Sequence, residues 1–418
     1  MKIPYIFILL FICVLCFSGC FAESAQIHGS DTVPPASEPS ESARALEVTA
    51  YPEPSPTISH KPEPVESEEI QLSPAEEILR HMTLKEKVGQ LFITAYRKNE
   101  DGSGITGLND ESAKAIKDYH IGGVVLFSEN IQTILQTQSY IADMQGIAKI
   151  PLFIGIDEEG GAVSRTGSLG FGKTPTAGDI GNTRDINLAS EYSRKIAEYL
   201  LPLGFNLNFA PVADINSNPS NTVIGNRSYG SDAVWVSDMV TAVVKAYMES
   251  GIVPVIKHFP GHGDTNEDSH YGAAFTEKTL DELENMELIP FKQAISAGAP
   301  MVMAGHISAP NVTGNNEPTV FSEYLLQNIL RTDLGFTGIV ITDAMDMAAI
   351  TDFYSSGEAT VKALKAGVDI VLMPADFYEG YDAVLNAVGS GEISEEFINE
   401  KVLRILECKL KYLEWEYE

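Results

Sequence analysis

The sequence predicts a single (β/α)8 barrel of the TIM type, an α/β fold, preceded by a signal peptide and an extended tether. Eight short apolar runs alternate with longer amphipathic stretches through most of the 418-residue chain, and this alternation is typical of βα units around a parallel sheet. Eight strands favour a closed barrel over an open sheet. Ionisable residues follow several of the runs, at the end of the barrel where functional sites lie.

The N-terminus has the layout of a secretory signal peptide. Lys2 is followed by the apolar run Ile3–Phe17, which is too short to span a bilayer, and then by small residues that end at Cys20. The stretch Phe17-Ser18-Gly19-Cys20 resembles a bacterial lipobox, in which the cysteine becomes the lipidated first residue. We therefore expect residues 1–20 to be a lipoprotein signal peptide that leaves the protein anchored through Cys20 at the extracellular face of the cell membrane. A buried structural helix is the alternative.

The stretch from Phe21 to Ser73 is rich in Pro, Ser, Thr and Glu and has little apolar periodicity. Chains of this composition bury too little apolar surface to fold. We therefore predict a disordered tether over residues 21–73, which would hold the barrel domain, residues 74–418, away from the membrane.

Charge and cysteine content restrict the partners. The formal net charge is −30 and the pI is near 4.5, which argues against nucleic acid or anionic lipid head groups as partners and favours a solvated acidic surface. Membrane contact is then expected through the lipid anchor only. Cys13 and Cys16 lie in the predicted signal, so Cys408 alone remains beside Cys20 and no disulfide within the domain is expected.

The predicted strands are short apolar runs. The residues at 252–256 (Ile-Val-Pro-Val-Ile) show no polar alternation, which fits a parallel strand covered on both faces. The eight predicted strands are Leu91–Tyr96, Gly123–Phe127, Leu152–Asp157, Phe205–Val212, Val253–His258, Met301–His306, Gly338–Asp343 and Val368–Met373.

Amphipathic stretches between these runs supply the helices. Thr83 is placed to cap the first, the second is expected to end near Pro202, and Gly298 is placed to close the third. No second domain is expected after the eighth strand, where only helix remains. The predicted helices are Leu84–Gln90, Asn187–Leu201, Thr279–Ala297 and Ile393–Tyr417.

Polar residues stand at the carboxyl ends of several predicted strands. One polar residue there is often only a turn former, but several on one rim indicate a site. These rim residues are Asp157, Asp214, Lys257, His258, His306 and Asp343.

The densest polar segment runs from Lys257 to His270 and reads KHFPGHGDTNEDSH. Its histidines and carboxylates are compatible with a metal site or with an acid–base loop. A metal-dependent barrel hydrolase usually has further ligands on its first strand, and Leu91–Tyr96 has none. By analogy with that fold we expect no metal and no other cofactor.

Four separated motifs stand on or near the predicted barrel rim. They are IDEEGG at Ile156 with Arg165, the NP and GNRSYG segments at Asn218 and Gly225, KHFPGHG…DSH at Lys257, and ITDAM at Ile341. Together they resemble the motifs of the bacterial β-N-acetylhexosaminidases of glycoside hydrolase family 3, the single-domain type of cell-wall recycling, and the resemblance covers essentially everything after the tether. It implies a TIM-type barrel that hydrolyses terminal β-linked N-acetylglucosamine, from peptidoglycan fragments or related glycans, through a covalent glycosyl-enzyme with retention of configuration.

The resemblance also implies roles for single residues. Asp343 matches the nucleophile and His270 the general acid/base, with Asp268 as the carboxylate that orients this histidine. An imidazole, with an unperturbed pKa of about 6.5, suits proton transfer near neutral pH. Residues that hold the hydroxyls and the N-acetyl group of the terminal sugar are matched by Asp157, Arg165, Arg227, Lys257 and His258.

Some assignments stay open. Asp343 could instead cap the helix that follows it. His262, His306 and Asp214 are expected to support loop architecture or neighbouring side chains rather than to act directly.

Other functions also remain open at this point. A β-N-acetylglucosaminide phosphorylase is one, because a neutral histidine tolerates an incoming phosphate better than a carboxylate does. A β-glucosidase of the same family is another, although those enzymes take their acid/base from a second domain. A metal-dependent TIM-barrel hydrolase and a non-catalytic sugar-binding lipoprotein are further alternatives. Having both Asp343 and His270 favours a glycoside hydrolase, whose leaving group could be N-acetylmuramic acid, a muropeptide, chitobiose or a glycoconjugate.

Overall fold

The computed structural model describes residues 72–265, 274–413 and 415. The predictions for Cys20 and the rest of the signal peptide, for nearly all of the tether, and for Asp268 and His270 lie outside these residues. The described residues fall within one compact unit.

Eight parallel strands form one sheet that curls into a nearly closed barrel, which confirms the predicted (β/α)8 fold. Ile341 and Ile370 form a parallel bridge, and the Thr342 N–H donates to the Ile370 carbonyl at 3.0 Å, so the two end strands meet. In sheet order the strands are β10 (Val371–Leu372), β1 (Phe92–Ala95), β2 (Gly123–Val125), β3 (Phe153–Ile156), β4 (Leu207–Asn208), β5 (Val253–Phe259), β7 (Met301–Ala304) and β9 (Ile339–Thr342). A separate parallel pair consists of β6 (Ala274–Phe275) and β8 (Ile307–Ser308).

All eight predicted strands occur, although most are shorter than predicted. Every residue of β2, β3, β5, β7 and β9 is buried, because strands inside a ring of helices are covered on both faces. The fourth strand shrinks most, from Phe205–Val212 to Leu207–Asn208. Pro211 in this run has no N–H to donate to a neighbouring strand.

Fourteen α-helices lie in the part of the chain that the structure describes. They are α1 (Pro74–His81), α2 (Leu84–Gln90), α3 (Asp110–Asp118), α4 (Ile134–Ile147), α5 (Ala177–Asn182), α6 (Ile186–Leu203), α7 (Ala233–Ser250), α8 (Leu280–Glu284), α9 (Leu288–Ser296), α10 (Pro310–Thr313), α11 (Ala348–Thr351), α12 (Ser356–Ala366), α13 (Phe377–Ser390) and α14 (Glu395–Tyr412). Short 3-10 helices occur at Ser128–Asn130, Gly167–Leu169, Gly225–Arg227 and Thr319–Phe321, and a π-helix at Tyr324–Asp333.

The predicted helix Leu84–Gln90 and its cap are confirmed. The Thr83 hydroxyl accepts the Glu86 N–H at 3.3 Å, and the Glu86 carboxylate accepts the Thr83 N–H at 2.7 Å. This capping box satisfies amides that have no partner inside the helix.

One of two further helix predictions is confirmed to within two residues at either end, and the other was wrong. The predicted helix Asn187–Leu201 continues through Pro202 and ends only where Gly204, with φ 99°, takes the left-handed conformation, since a proline in the last turn costs one hydrogen bond and does not stop the chain. The predicted helix Thr279–Ala297 is two helices, α8 and α9, separated by a turn at 285–287. Pro290 has no N–H for the carbonyl four residues earlier and clashes with it, which accounts for the break.

The last helix, α14, is shorter than the predicted stretch Ile393–Tyr417 and packs at the N-terminal ends of the strands. Lys409 on this helix donates to the Gly122 carbonyl, just before β2, at 2.9 Å, and Lys401 donates to the Val368 carbonyl, before β10, at 2.7 Å. The helix therefore covers the end of the barrel opposite to the polar rim. No helix of the described residues is both long and apolar enough to cross a bilayer.

Candidate active site

A cavity of about 300 Å³ opens at the carboxyl ends of the strands, and we call it the rim cavity. Barrel geometry explains this position, because the end of each parallel strand delivers the next residues of the chain to the same rim. Asp157 follows β3, Lys257 and His258 lie within β5, and Asp343 follows β9. The polar lining is Asp157, Glu159, Arg165, Arg227, Lys257, His258, His262 and Asp343, with Arg97 and Asp346 at one side; apolar lining comes from Phe127, Phe209, Met303, Met347 and Leu372 among others.

A chain of ion pairs forms one wall of the rim cavity. The Lys257 ammonium lies 2.8 Å from Asp157 and 2.6 Å from Glu159. Arg227 binds Glu159 with two nitrogens at 2.8 and 2.9 Å, and Arg165 approaches Asp157 at 3.5 Å. Three cations face two carboxylates, so the wall offers fixed donors and acceptors for sugar hydroxyls.

Mutual attraction keeps these buried groups charged. Burial opposes ionisation of Glu159, but the Lys257 and Arg227 cations outweigh it and hold the pKa of Glu159 well below its ordinary value. Burial likewise favours neutral Lys257, yet Asp157 and Glu159 outweigh it and raise the pKa of the ammonium. Buried charges of this kind are tolerated only when paired.

Glu158 organises the loop that carries Arg165. Its side chain is 1% exposed and accepts hydrogen bonds from the Arg165 N–H at 2.8 Å, the Ser164 hydroxyl at 2.6 Å and the Tyr199 hydroxyl at 3.0 Å. The turn into this loop needs Gly161, at φ 60°, where a Cβ would lie 2.4 Å from Thr176. The two neighbouring glutamates thus serve different parts of the site.

Asp214 lies fully buried behind His258 and His262. Its carboxylate contacts His258 Nδ1 at 2.7 Å and accepts the N–H groups of His258 at 3.1 Å and His262 at 2.7 Å. Burial opposes ionisation of Asp214, but the two imidazoles and the His262 N–H outweigh it and lower the pKa of the carboxyl. Asp214 therefore fixes the ring of His258 and the start of the histidine-rich loop.

Asp343 stands at the floor of the rim cavity. Burial opposes its ionisation, but His258, His306 and the Ala344 N–H outweigh it and lower the pKa of its carboxyl. The Ala344 N–H donates to Asp343 Oδ1 at 2.8 Å. The next helix, α11, begins five residues later with Met347 at its N-cap, so Asp343 does not cap it.

His306, which is fully buried, supports the backbone next to Asp343. Its Nε2 lies 2.8 Å from the Ala344 carbonyl, which fixes the turn that follows β9. Burial lowers the pKa of His306. The two histidines, His262 and His306, thus occupy different places: His262 lines the rim cavity, whereas His306 lies behind it.

The structure brings together all five residues matched to sugar binding, with Asp343 among them. Sequence reasoning gave no role to Glu159, although it stands in the IDEEGG motif, and did not single out Arg97 or Asp346. Its place in the IDEEGG motif, two residues after Asp157 and just beyond β3, was the available signal for Glu159. In the described part of the chain no group of three or more His, Cys, Asp or Glu side chains is arranged to hold a metal ion.

Comparison with known proteins identifies the family. Residues 83–408 match the family described as "Glycosyl hydrolase family 3 N terminal domain". The chain belongs to this family. It is 36% identical to beta-hexosaminidase A of Pseudoalteromonas piscicida over 79% of this chain and 61% of that protein. It is 33% identical to beta-hexosaminidase LpqI of Mycobacterium tuberculosis over 78% of this chain and 82% of that protein.

A solved structure supports the same relationship. The family 3 beta-N-acetylglucosaminidase from Paenibacillus sp. str. FPU-7 superposes with a TM-score of 0.76 at 38% identity, over 81% of this chain and 64% of that one. This chain thus spans less than two thirds of the Paenibacillus and Pseudoalteromonas proteins.

Proposed function

We propose that this protein is a retaining exo-β-N-acetylglucosaminidase that hydrolyses terminal β-linked N-acetylglucosamine from glycans. The observation that carries the proposal is the Asp343 carboxylate at the floor of a 300 Å³ cavity whose wall is the ion-paired set Asp157, Lys257, Glu159 and Arg227. A cavity of this volume is at the small end of ligand sites, which fits one terminal sugar. The names of the family relatives support the same substrate.

In the proposed mechanism Asp343 attacks the anomeric carbon and forms a covalent glycosyl-enzyme, while a proton passes to the leaving oxygen. The lowered pKa of Asp343 keeps the carboxylate ionised. Asp157, Arg165, Arg227, Lys257 and His258 would hold the hydroxyls and the N-acetyl group. Water then attacks the glycosyl-enzyme and restores the carboxylate, with net retention.

We assign proton transfer to His270, oriented by Asp268, on the strength of the sequence motif. The described residues on either side of segment 266–273 are firmly held: Thr265 Oγ lies 2.7 Å from His262 Nδ1, and the Thr276 hydroxyl donates to Asp264 at 3.0 Å. Both ends of the loop therefore start from fixed positions near the rim cavity.

We also propose that the protein is a lipoprotein anchored through Cys20 at the extracellular face of the membrane. The lipobox-like Phe17–Cys20 and the Pro- and Ser-rich stretch after it support this. With an acidic sequence of formal charge −30, the acyl chain would be the contact with the membrane.

The proposed activity is tested with 4-nitrophenyl β-N-acetylglucosaminide and the matching glucoside. The expected result is rapid release of nitrophenol from the first and slow release from the second, unchanged after thorough treatment with EDTA. Product analysis with and without phosphate distinguishes free N-acetylglucosamine from its 1-phosphate. Sugar phosphate as the main product would make the enzyme a phosphorylase, and loss of activity in EDTA restored by zinc would indicate a metal-dependent hydrolase.

A further inference from the structure

The turn between α8 and α9 places a buried carboxylate against the histidine-rich loop. Glu287 is the last residue of this turn, and its side chain is fully buried. It packs against Gly261, where even a Cβ would lie 2.7 Å from Glu287 Cγ. The Ser217 hydroxyl, from the chain that follows β4, lies 3.4 Å from Glu287 Oε1. Glu287 therefore contacts the backbone that runs from β5 toward segment 266–273.

Lys278 links Glu287 to residues on both sides of segment 266–273. Its ammonium bonds Glu287 Oε1 and lies 3.6 Å from Asp264 Oδ1. Asp264 Oδ2 in turn accepts the Thr276 hydroxyl at 3.0 Å, and that hydroxyl oxygen accepts the Lys278 N–H at 3.3 Å. Because Asp264 precedes the segment and Thr276 follows it, these contacts join its two ends. We call Asp264, Thr276, Lys278 and Glu287 the loop clamp.

The loop clamp is fixed to the barrel on both sides. The Thr276 N–H donates to the Ser308 carbonyl at 2.9 Å, which continues the pairing of β6 with β8. On the other side, the Asn221 amide donates to the His262 carbonyl at 2.7 Å. Thr276 and Glu287 are each only 1% exposed. The segment between the two ends therefore leaves from one fixed base, which limits the positions that its residues can reach.

Stability alone does not account for the Glu287 carboxylate. Its Oε2 has no hydrogen-bond partner among the residues that the structure describes, and burial raises the pKa of its carboxyl although Lys278 opposes this. A buried acceptor without a partner is destabilising. Buried ion pairs, moreover, can often be replaced by apolar residues without loss of stability. The contact with Lys278, and through it with both ends of the segment, is the better explanation for a carboxylate in this place.

We propose that Glu287 and Lys278 are positioning residues for proton transfer: through the loop clamp they hold the base of the segment that carries His270, and so keep this histidine within reach of the leaving oxygen. The inference rests on the proposed function and adds to it two residues that do not line the rim cavity. Positioning matters because a misplacement of about 1 Å can slow a reaction by about 100-fold.

Leaving-group dependence separates positioning of the proton donor from a general loss of structure. In the full-length protein, Glu287→Gln and Lys278→Met should each slow glycosylation from aryl glycosides with poor leaving groups by about tenfold to 100-fold. Rates with good leaving groups should change by less than about twofold, because these groups need little protonation. Lys278→Arg keeps the cation and should recover most of the loss. Because Lys278 is 19% exposed, Lys278→Met decides if Glu287→Gln does not fold.

Asp369→Asn is the matched control. Asp369 is also a fully buried carboxylate paired with cations, Arg331 at 2.6 Å and Arg404 at 2.8 Å, but it lies before β10, at the opposite end of the barrel. The variant should lose stability without a change in the slope of rate against leaving-group pKa. A double-mutant cycle is the second control. In a His270→Ala background, Glu287→Gln should have no further effect on the slope, because no donor is left to position.

Two results would overturn the inference: Glu287→Gln and Lys278→Met slow good and poor leaving groups equally, or they slow poor ones just as much in the His270→Ala background. A His270→Ala slope equal to that of the wild-type protein would also overturn it, while leaving the hydrolase activity in place. Failure of the proposed function itself is a different result. It would appear as no release of nitrophenol from the aryl N-acetylglucosaminide by the wild-type protein.

Discussion

The Asp343 carboxylate differs from the other carboxylates at the floor and wall of the rim cavity. Asp157 and Glu159 are salt-bridged, whereas Asp343 forms no salt bridge to a described lysine or arginine and accepts the Ala344 N–H at 2.8 Å. A carboxylate held by cations is a poor nucleophile, while one that is ionised and lightly bonded retains its lone pairs for attack. This contrast is the residue-level reason to assign nucleophilic attack to Asp343.

Proton donation by His270 is a separate residue-level prediction. His270→Ala should slow cleavage of natural disaccharides by roughly 100- to 10,000-fold, which is the rate acceleration that general acid catalysis usually contributes. Aryl glycosides with good leaving groups should lose far less in the glycosylation step, because such groups depart as stable anions. Asp268→Ala should follow the same pattern more mildly, since it acts through the histidine.

The measurement is the glycosylation rate across aryl leaving groups of differing pKa. Equal loss for good and poor leaving groups in His270→Ala would remove His270 from the role. Asp346 would be the next candidate, because it lines the rim cavity and burial raises the pKa of its carboxyl.

Asp214 supplies a stability prediction from described contacts. Asp214→Ala leaves His258 Nδ1 and the N–H groups of His258 and His262 without their buried acceptor, so we expect a loss of about 3–5 kcal/mol in the free energy of unfolding. The control Asp232→Ala removes an exposed cap of α7 and should cost about 1 kcal/mol. Urea denaturation measures the free energy of unfolding of both variants. Equal small losses would show that Asp214 does not hold the histidine-rich loop in place.

At the scale of single elements, α14 carries an unusual buried cation. Lys409 is fully buried, with the Gln90 amide oxygen at 2.7 Å, the Gly122 carbonyl at 2.9 Å and the Phe153 ring centroid at 5.0 Å as partners. None of these is a carboxylate, and burial lowers the pKa of Lys409 to about 7. The unfolded chain, where lysine has its ordinary pKa near 10.4, therefore binds more protons above pH 7.

This difference predicts how stability depends on pH. Below the folded-state pKa of about 7, Lys409 is charged in both states, and the cost of burying that charge is fully present. From about pH 7 to about pH 9.5 the folded protein has lost this proton while the unfolded chain still holds it. The free energy of unfolding should therefore increase by several kcal/mol over this range. Lys409→Met should flatten that part of the curve, whereas Lys411→Met, on the exposed side of the same helix, should not. Parallel wild-type and Lys409→Met curves in urea denaturation at several pH values would contradict the account.

Comparison of the predicted with the observed strands and helices shows which elements can be predicted from sequence patterns alone. Apolar runs predicted all eight strands, because strands covered on both faces are composed mainly of apolar residues. The split between α8 and α9 depends on Pro290 and on which residues the turn buries, and periodicity alone does not contain that information. The site followed the same rule: strand ends placed Asp157, Lys257 and Asp343 on one rim, but the path of the backbone decided that Glu159 joins the ion pairs while Glu158 holds the loop.

At the scale of the whole molecule, anchoring is the open prediction. Cys20→Ser removes the proposed acylation site and should shift the protein from the membrane fraction to the medium or the soluble fraction, with activity on the aryl N-acetylglucosaminide retained. Cys408→Ser, at the buried free cysteine, is the matched control and should stay with membranes. Unchanged membrane retention of Cys20→Ser would refute the lipoprotein proposal.

Covalent bonding of Asp343 to the sugar in the rim cavity distinguishes the proposed mechanism from a metal-dependent hydrolase and from a non-catalytic sugar-binding protein. The most direct measurement is mass spectrometry of the protein after reaction with a fluorinated N-acetylglucosaminyl fluoride, which forms the glycosyl-enzyme faster than water removes it. We expect a mass increase of one sugar residue that maps to the peptide containing Asp343. The increase should be absent in Asp343→Asn, which should also have lost turnover on every substrate. A label on another residue, or continued turnover by Asp343→Asn, would contradict the proposed mechanism.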